Sequence, residues 1–414
     1  MNAAEAGLLA AVDEDALLRL AADLVAAGGE NPGGTEAATA GVLTEAARRI
    51  GLEVEVAEVA PGRPNVLATL PGTDPDAEGL LFLGHSDVVP AGPGWSRDPF
   101  APLVSGGRLH GRGSTDMKGG LAAVLAAISA LRASGTPLRG PVTLACTVDE
   151  EDLGLGIRAL VDAGLARRYA GCVVAEPTDL ETVVACRGDS YLELEVAGRA
   201  AHSGRPSDGR NAIDAASRIC ALLREDQERL QRDPDPLLGA GTWNVGVISG
   251  GRGTSIVAPS CRLSLDRRLM PGEDPDLIRD GLLRGISEAG IDGGGITVDA
   301  RVTMRMPGFR TPSDHPLVRA ATLAVADAGA RTRITGWTAA CDGGFVAESF
   351  GIPTIVLGPG GLNDQAHQVD ESVGVRELGA AARAYALLAL RLLGTTPSRR
   401  TDHRPGTRME GRTR

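Results

Sequence analysis

Apolar residues recur at three- and four-residue intervals over residues 8–28 and 35–50, the spacing of helices with one buried face. Residues 52–58 and 64–70 instead alternate apolar with polar, the period of half-buried strands. Residues 79–84 form a short unbroken apolar run, as in a strand buried on both faces, and the run stops at His85. The Ala- and Leu-rich stretch 119–132 predicts a helix. Three further apolar runs have strand length. Residues 142–148 end at Asp149-Glu150-Glu151, residues 172–175 end at Glu176, and residues 354–357 lead through Gly358-Pro359-Gly360-Gly361 towards His367. Helices alternating with buried strands predict an α/β fold.

The pattern changes between about 188 and 305. It reads strand (190–197), helix (211–230), strand (243–249), strand (260–267), helix (274–289), strand (296–303). That β-α-β-β-α-β order is a self-contained α+β unit. Arg187-Gly188 and Met306-Pro307-Gly308 flank it as hinges. The predicted organisation is a catalytic domain in two parts, 1–187 and 306–394, interrupted by an inserted domain at 188–305. A tail at 395–414, rich in Arg with Pro and Gly, is expected to be disordered.

Composition narrows the picture. With 43% hydrophobic residues in 414, the chain can bury a large core. A net charge of -11 argues against nucleic acid as the main partner. Glu5, Asp13, Glu14 and Asp15 near the start make a poor signal peptide. The sequence has no uncharged apolar run of membrane-spanning length, so no membrane span is expected. The six Cys residues lack any C-x-x-C pairing, which fits buried free thiols and a cytoplasmic setting.

The chemistry sits where the apolar runs stop. Gly84-His85-Ser86-Asp87, Ser114-Thr115-Asp116-Met117-Lys118, Asp149-Glu150-Glu151, Ala175-Glu176-Pro177 and Gln365-Ala366-His367-Gln368 bring imidazoles and carboxylates to such ends or to loops. Open α/β sheets form their ligand crevice at strand ends. Imidazole nitrogen and carboxylate oxygen are the ligands of hydrolytic zinc, and a two-metal site needs a bridging carboxylate. His85, Asp116, Glu151, Glu176 and His367 would supply such a set, with Asp116 central. Glu150, next to Glu151, is expected to stay off the metal and take a proton. Asp87, two residues beyond His85 on an extended segment, shares its face and is expected to orient its imidazole through its carboxylate.

These motifs, in this order, resemble the metallo-aminoacylases and exopeptidases typified by acetylornithine deacetylase, succinyl-diaminopimelate desuccinylase, aminoacylase-1 and the glutamate carboxypeptidases. The resemblance spans roughly residues 15 to 393. It implies a zinc-exopeptidase-like catalytic domain with an inserted lid or dimerisation domain, and two zinc ions per chain for which cobalt can substitute. It further implies that His85 and Glu176 hold one ion, that Glu151 and His367 hold the other, and that Asp116 bridges them. Glu150 is then the general base and acid, Asp87 supports His85, and the Asp116–Met117 peptide is cis.

In the inserted domain, Ala201-His202-Ser203-Gly204 resembles the segment whose His reaches a partner subunit's site to bind the oxyanion. Asn244 and Arg268 match positions that bind a substrate carboxylate, a task suited to the planar guanidinium. Ser255 stands where relatives often carry Asn, and Cys341 where Thr or Ser is common. No partner His is suggested near Cys341, so it is not read as a nucleophile. His110, His315 and His403 match no motif and are read as surface or structural. The expected function is hydrolysis of an N-acyl amino acid, with a dipeptidase or carboxypeptidase as the alternative enzyme. A non-catalytic metal- or amino-acid-binding protein is the alternative of another class. The resemblance also implies a homodimer.

Overall fold

The apolar run that stops at His85 forms the strand Gly79–His85, buried along its whole length. The structure is a computed structural model and describes residues 1–394; the tail and His403 lie outside the described residues. Among these residues the main sheet has nine strands. Its spatial order is Glu53–Ala60, Arg63–Leu70, Val142–Thr147, Gly79–His85, Tyr169–Val174, Thr354–Val356, Thr182–Cys186 and Phe309–Arg310, with Ile334–Trp337 also pairing Thr182–Cys186. Gly79–His85 pairs in parallel with both Val142–Thr147 and Tyr169–Val174, and Thr354–Val356 joins the parallel set. The parallel strands are the unbroken apolar runs, because helices cover both their faces.

On one face lie Gly119–Ser134 and Val375–Leu393, whose Ala-rich surfaces pack closely on the sheet. On the other lie Leu155–Ala163 and Gly343–Phe350. By length and composition Ser114–Ser134 could cross a membrane, but 72% of its most apolar window is buried within the fold, so it serves as a core helix. Gly120 in this helix has no room for a side chain, since a Cβ there would collide with the Ala175 carbonyl. That close approach sets the helix start beside the end of the Glu176 strand. The single helix expected over 8–28 is two, Ala3–Ala10 and Glu14–Ala26. Asp13 breaks it by capping the second, its carboxylate accepting the Ala16 N–H at 2.8 Å.

The inserted unit has the β-α-β-β-α-β order. Its four-stranded sheet runs Thr242–Gly250, Ser260–Leu269, Gly188–Ala197, Thr297–Met306, all pairs antiparallel. Alternate residues Leu192, Leu194 and Val196 face the helices Ala212–Leu230 and Pro275–Glu288 and form a separate core. Thr242–Gly250 is an edge strand that exposes Val247 and Ile248.

Candidate metal centre

The parallel strands deliver their C-terminal ends to one edge of the sheet. Gly79–His85 ends in His85 itself, Val142–Thr147 leads into Asp149-Glu150-Glu151, and Tyr169–Val174 leads into Glu176. Asp116 comes from a tight irregular turn at the start of the Gly119–Ser134 helix, and its bond to Met117 is cis. His367 comes from the late loop, with φ of 62°. Glu176 had no periodicity of its own to mark it, only its place after a buried run.

The side chains meet as two triads that share Asp116. His85 Nε2 lies 3.3 Å from Asp116 Oδ1 and 3.2 Å from Glu176 Oε1. His367 Nε2 lies 3.3 Å from Asp116 Oδ2 and 3.1 Å from Glu151 Oε2. Each triad's ligand atoms lie within 4.8 Å of one another, so each could hold a metal ion. The His85 triad is buried, whereas the His367 side chain is 50% exposed, which makes the second triad the open side of the centre. Glu150 belongs to neither triad.

The electrostatics fit cations. Asp116 and Glu176 are buried and Glu150 and Glu151 half-buried, four carboxylates beside two imidazoles. Burial, with Asp116 beside it, pushes Glu176 up to about 8. Burial likewise raises Glu151, again with Asp116 adding, and raises Glu150 well above the usual carboxylate range. Asp116 goes the other way: burial opposes its charge, but hydrogen bonds from His367 and His85 hold it well below. Those bonds to Asp116 and Glu151 lift His367 to about 10. The buried Glu151 Oε1 has no hydrogen-bond partner. Excess buried carboxylate, a bridging Asp and an orphaned oxygen are what a pair of divalent ions would satisfy.

Asp87 meets the His85 imidazole through two groups. The chain bends at Ser86, immediately after the strand, so the Asp87 backbone carbonyl comes under the ring, 3.0 Å from His85 Nδ1. Its carboxylate stands farther off at 3.5 Å and accepts the N–H groups of Glu150 (3.2 Å) and Glu151 (3.1 Å). The residue therefore meets the imidazole by its backbone and, farther off, by its carboxylate, and the same carboxylate holds the acidic loop.

The three residues of the inserted domain are not gathered with the triads. His202 is exposed, and its Nδ1 accepts the Gly204 N–H of its own loop at 3.0 Å. Ser255, where relatives often carry Asn, neighbours it, its carbonyl accepting the Ser203 N–H. Asn244 is exposed on the edge strand, across from Asp266. Arg268 pairs with both Asp266 oxygens, at 3.1 and 3.0 Å, and with Asp189 at 3.2 Å.

Some residues that hold the centre lie in or beside the motifs but were given no role by the sequence. Buried Glu371 accepts the N–H groups of Gly113, Thr115 and Asp116 and pairs with Arg112 at 2.8 Å, which fixes the Asp116 turn. Buried Lys118 donates to the Leu24 and Gly28 carbonyls, and burial draws its pKa down to about 7. Buried Asp342 accepts from Thr147 at 2.8 Å while its other oxygen stays unpartnered. The Cys341 thiol is pushed well up by the neighbouring Cys186 thiol and by burial, which leaves it protonated and poorly nucleophilic. His315 caps the helix Pro316–Asp327, and His110 lies 3.4 Å from the Ser105 carbonyl.

An α/β sheet with a paired-triad metal centre and an inserted α+β domain defines a metal-dependent hydrolase. Residues 81–391 match the model of peptidase family M20/M25/M40, and the chain belongs to that family. Solved structures share the fold. The aminopeptidase PepT from Bacillus cereus is 24% identical, with 92% of this chain and 98% of that one covered and a TM-score of 0.74. An M20 family metallo-carboxypeptidase from Sulfolobus solfataricus is 21% identical over 91% of this chain and 99% of its own, with a TM-score of 0.76. A dinuclear metal-binding peptidase from Bacillus subtilis is 17% identical over 92% and 98%, with a TM-score of 0.71.

Proposed function

We propose that this chain is a two-zinc hydrolase of N-acyl amino acids, with cobalt able to substitute. The observation that carries the reading is the pair of triads joined at Asp116 with Glu150 held off them. His85, Asp116 and Glu176 would hold one ion, and Asp116, Glu151 and His367 the other. When bound, the ions supply an activated water and polarise the substrate carbonyl. Glu150 takes the proton of the attacking water and returns it to the leaving amine. Burial raises its pKa well above the usual carboxylate range, which favours holding the proton that it passes on.

Recognition falls to the inserted domain. Arg268 and Asn244 bind the substrate carboxylate, and His202 donates to the oxyanion from a partner subunit. The edge strand Thr242–Gly250, with Val247 and Ile248 exposed, offers the surface for a homodimer. Closure of the inserted domain, a lid, completes the site.

A second enzymatic reading stays beside it, because the structural relatives are named as aminopeptidase, carboxypeptidase and dipeptidases. The same centre can cleave a peptide bond, and only the substrate pocket separates the two. Assay of the zinc- or cobalt-loaded protein on N-acetylornithine, N-succinyl-diaminopimelate and a dipeptide panel decides. Cleavage of an acyl amino acid supports the proposal. Cleavage of dipeptides alone replaces it with the peptidase reading, and a protein that neither binds metal nor turns over any of them is a binder.

A further inference from the structure

Behind the acidic loop lies a chain of buried polar contacts that the proposed mechanism does not use. Asn31 is 3% exposed. Its single amide nitrogen donates to Asp87 Oδ2 at 2.9 Å and to Asp149 Oδ1 at 3.0 Å. A primary amide carries two N–H donors, so one nitrogen serves both carboxylates with nothing left over. Each carboxylate then organises part of the same loop. Asp87 accepts the N–H groups of Glu150 and Glu151. Asp149 Oδ2 accepts those of Leu153 (3.3 Å) and Leu155 (3.1 Å). Asp149 itself stands at φ 67°, a left-handed conformation that Asp tolerates better than most residues. Its charge is met by Arg63 at 2.8 Å, and Arg63 is held in turn by Glu36.

We propose that Asn31 is a positioning residue that ties Asp87 to Asp149 and thereby fixes the loop carrying Glu150 and Glu151. The side chain suits the task because it is neutral and doubly donating. Two buried carboxylates at this spacing repel each other, and a donor shared between them replaces the repulsion with two hydrogen bonds to charged acceptors. Asp at this position would add a third negative charge and remove both donors. Ala would leave two carboxylates facing one another. Ser, with one donor, can serve only one of them. The proposal rests on the hydrolase reading only where it takes Glu150 as the base; the loop geometry stands without it.

The test therefore reads the loop before it reads activity. Amide hydrogen exchange is followed by mass spectrometry in the metal-free full chain, comparing the wild type with Asn31→Ala and Asn31→Ser. Exchange across residues 149–155 is expected to speed up about tenfold or more in the Ala variant and less in the Ser variant, with the strand Gly79–His85 still protected. In the metal-loaded protein, kcat is expected to fall about 10- to 100-fold with KM little changed, the scale of outer-layer changes at metal sites. Unchanged exchange at 149–155 in a folded Ala or Ser variant overturns the proposal. So does faster exchange everywhere, which would make Asn31 a general stabiliser. A wild type without turnover would sink the hydrolase reading while the exchange result still decides this one.

Discussion

The two regions that carry chemistry differ in how complete they are within one chain. At the end of the parallel sheet, His85, Asp116, Glu151, Glu176 and His367 converge to contacts between 3.1 and 3.3 Å, and most are buried. In the inserted domain, His202 and Asn244 are exposed, and Arg268 is neutralised by Asp266 and Asp189 of its own sheet. The sheet edge brings its candidate ligands together within one chain. The inserted domain holds its proposed recognition groups apart, which is the arrangement expected when closure or a second subunit completes a site. On this account, damage to the sheet edge abolishes chemistry, and damage to the inserted domain weakens its use.

Asp116→Ala should have the largest effect, since both triads lose their shared ligand: metal analysis should find both ions lost and hydrolysis at background. Next, Glu150→Gln should cut kcat by about 10²- to 10⁴-fold, the range for a general base. Metal content should stay at the wild-type level there; loss of metal would move Glu150 into the ligand set and blur the comparison.

His202→Ala should lower kcat by roughly 10²-fold if the imidazole binds the oxyanion. Mixing inactive Glu150→Gln and His202→Ala chains should restore part of the activity, because one site of the mixed dimer would be whole. No recovery in a confirmed mixed dimer would place His202 outside the neighbouring site. Arg268→Ala should raise KM by about 10- to 100-fold for substrates with a free carboxylate, the loss of a charge-assisted bond worth about 1.5–3 kcal/mol. Substrates whose carboxylate is amidated should show little difference between the two proteins.

The effect of pH falls on metal uptake. In the metal-free chain Asp116 and Glu151 hold His367 protonated up to about 10, and burial holds Glu176 protonated up to about 8. Metal must displace these protons. Uptake near neutral pH should therefore release protons, and apparent affinity should strengthen as pH rises between about 6 and 8. Calorimetry in two buffers of different ionisation enthalpy counts the protons, and a pH-independent affinity would contradict the assigned charges.

The sheet edge was readable from sequence because each candidate ligand follows a run of unmistakable strand or lies in a short motif. His85, Glu151 and Glu176 stand directly after apolar runs, and the inserted domain declared itself through the shift from parallel-strand runs to alternation. What stayed hidden is held by long-range hydrogen bonds. Asn31 meets Asp87 and Asp149 across 56 and 118 residues, and Glu371 reaches the Asp116 turn across 255. No periodicity marks such partners. The Asp87 carboxylate was expected at the imidazole because an extended chain puts alternate residues on one face. The carboxylate stands 3.5 Å from the ring, and the bend at Ser86 brings the Asp87 carbonyl closer, to 3.0 Å.

The central claim, a two-metal centre with Glu150 off the metals, is tested most directly by cobalt titration followed through visible absorption, with turnover measured on the same samples. The wild type and Glu150→Gln should each bind two cobalt ions per chain with matching spectra, and only the wild type should hydrolyse substrate. One ion or none in the wild type, an altered spectrum in Glu150→Gln, or undiminished hydrolysis by that variant would contradict it.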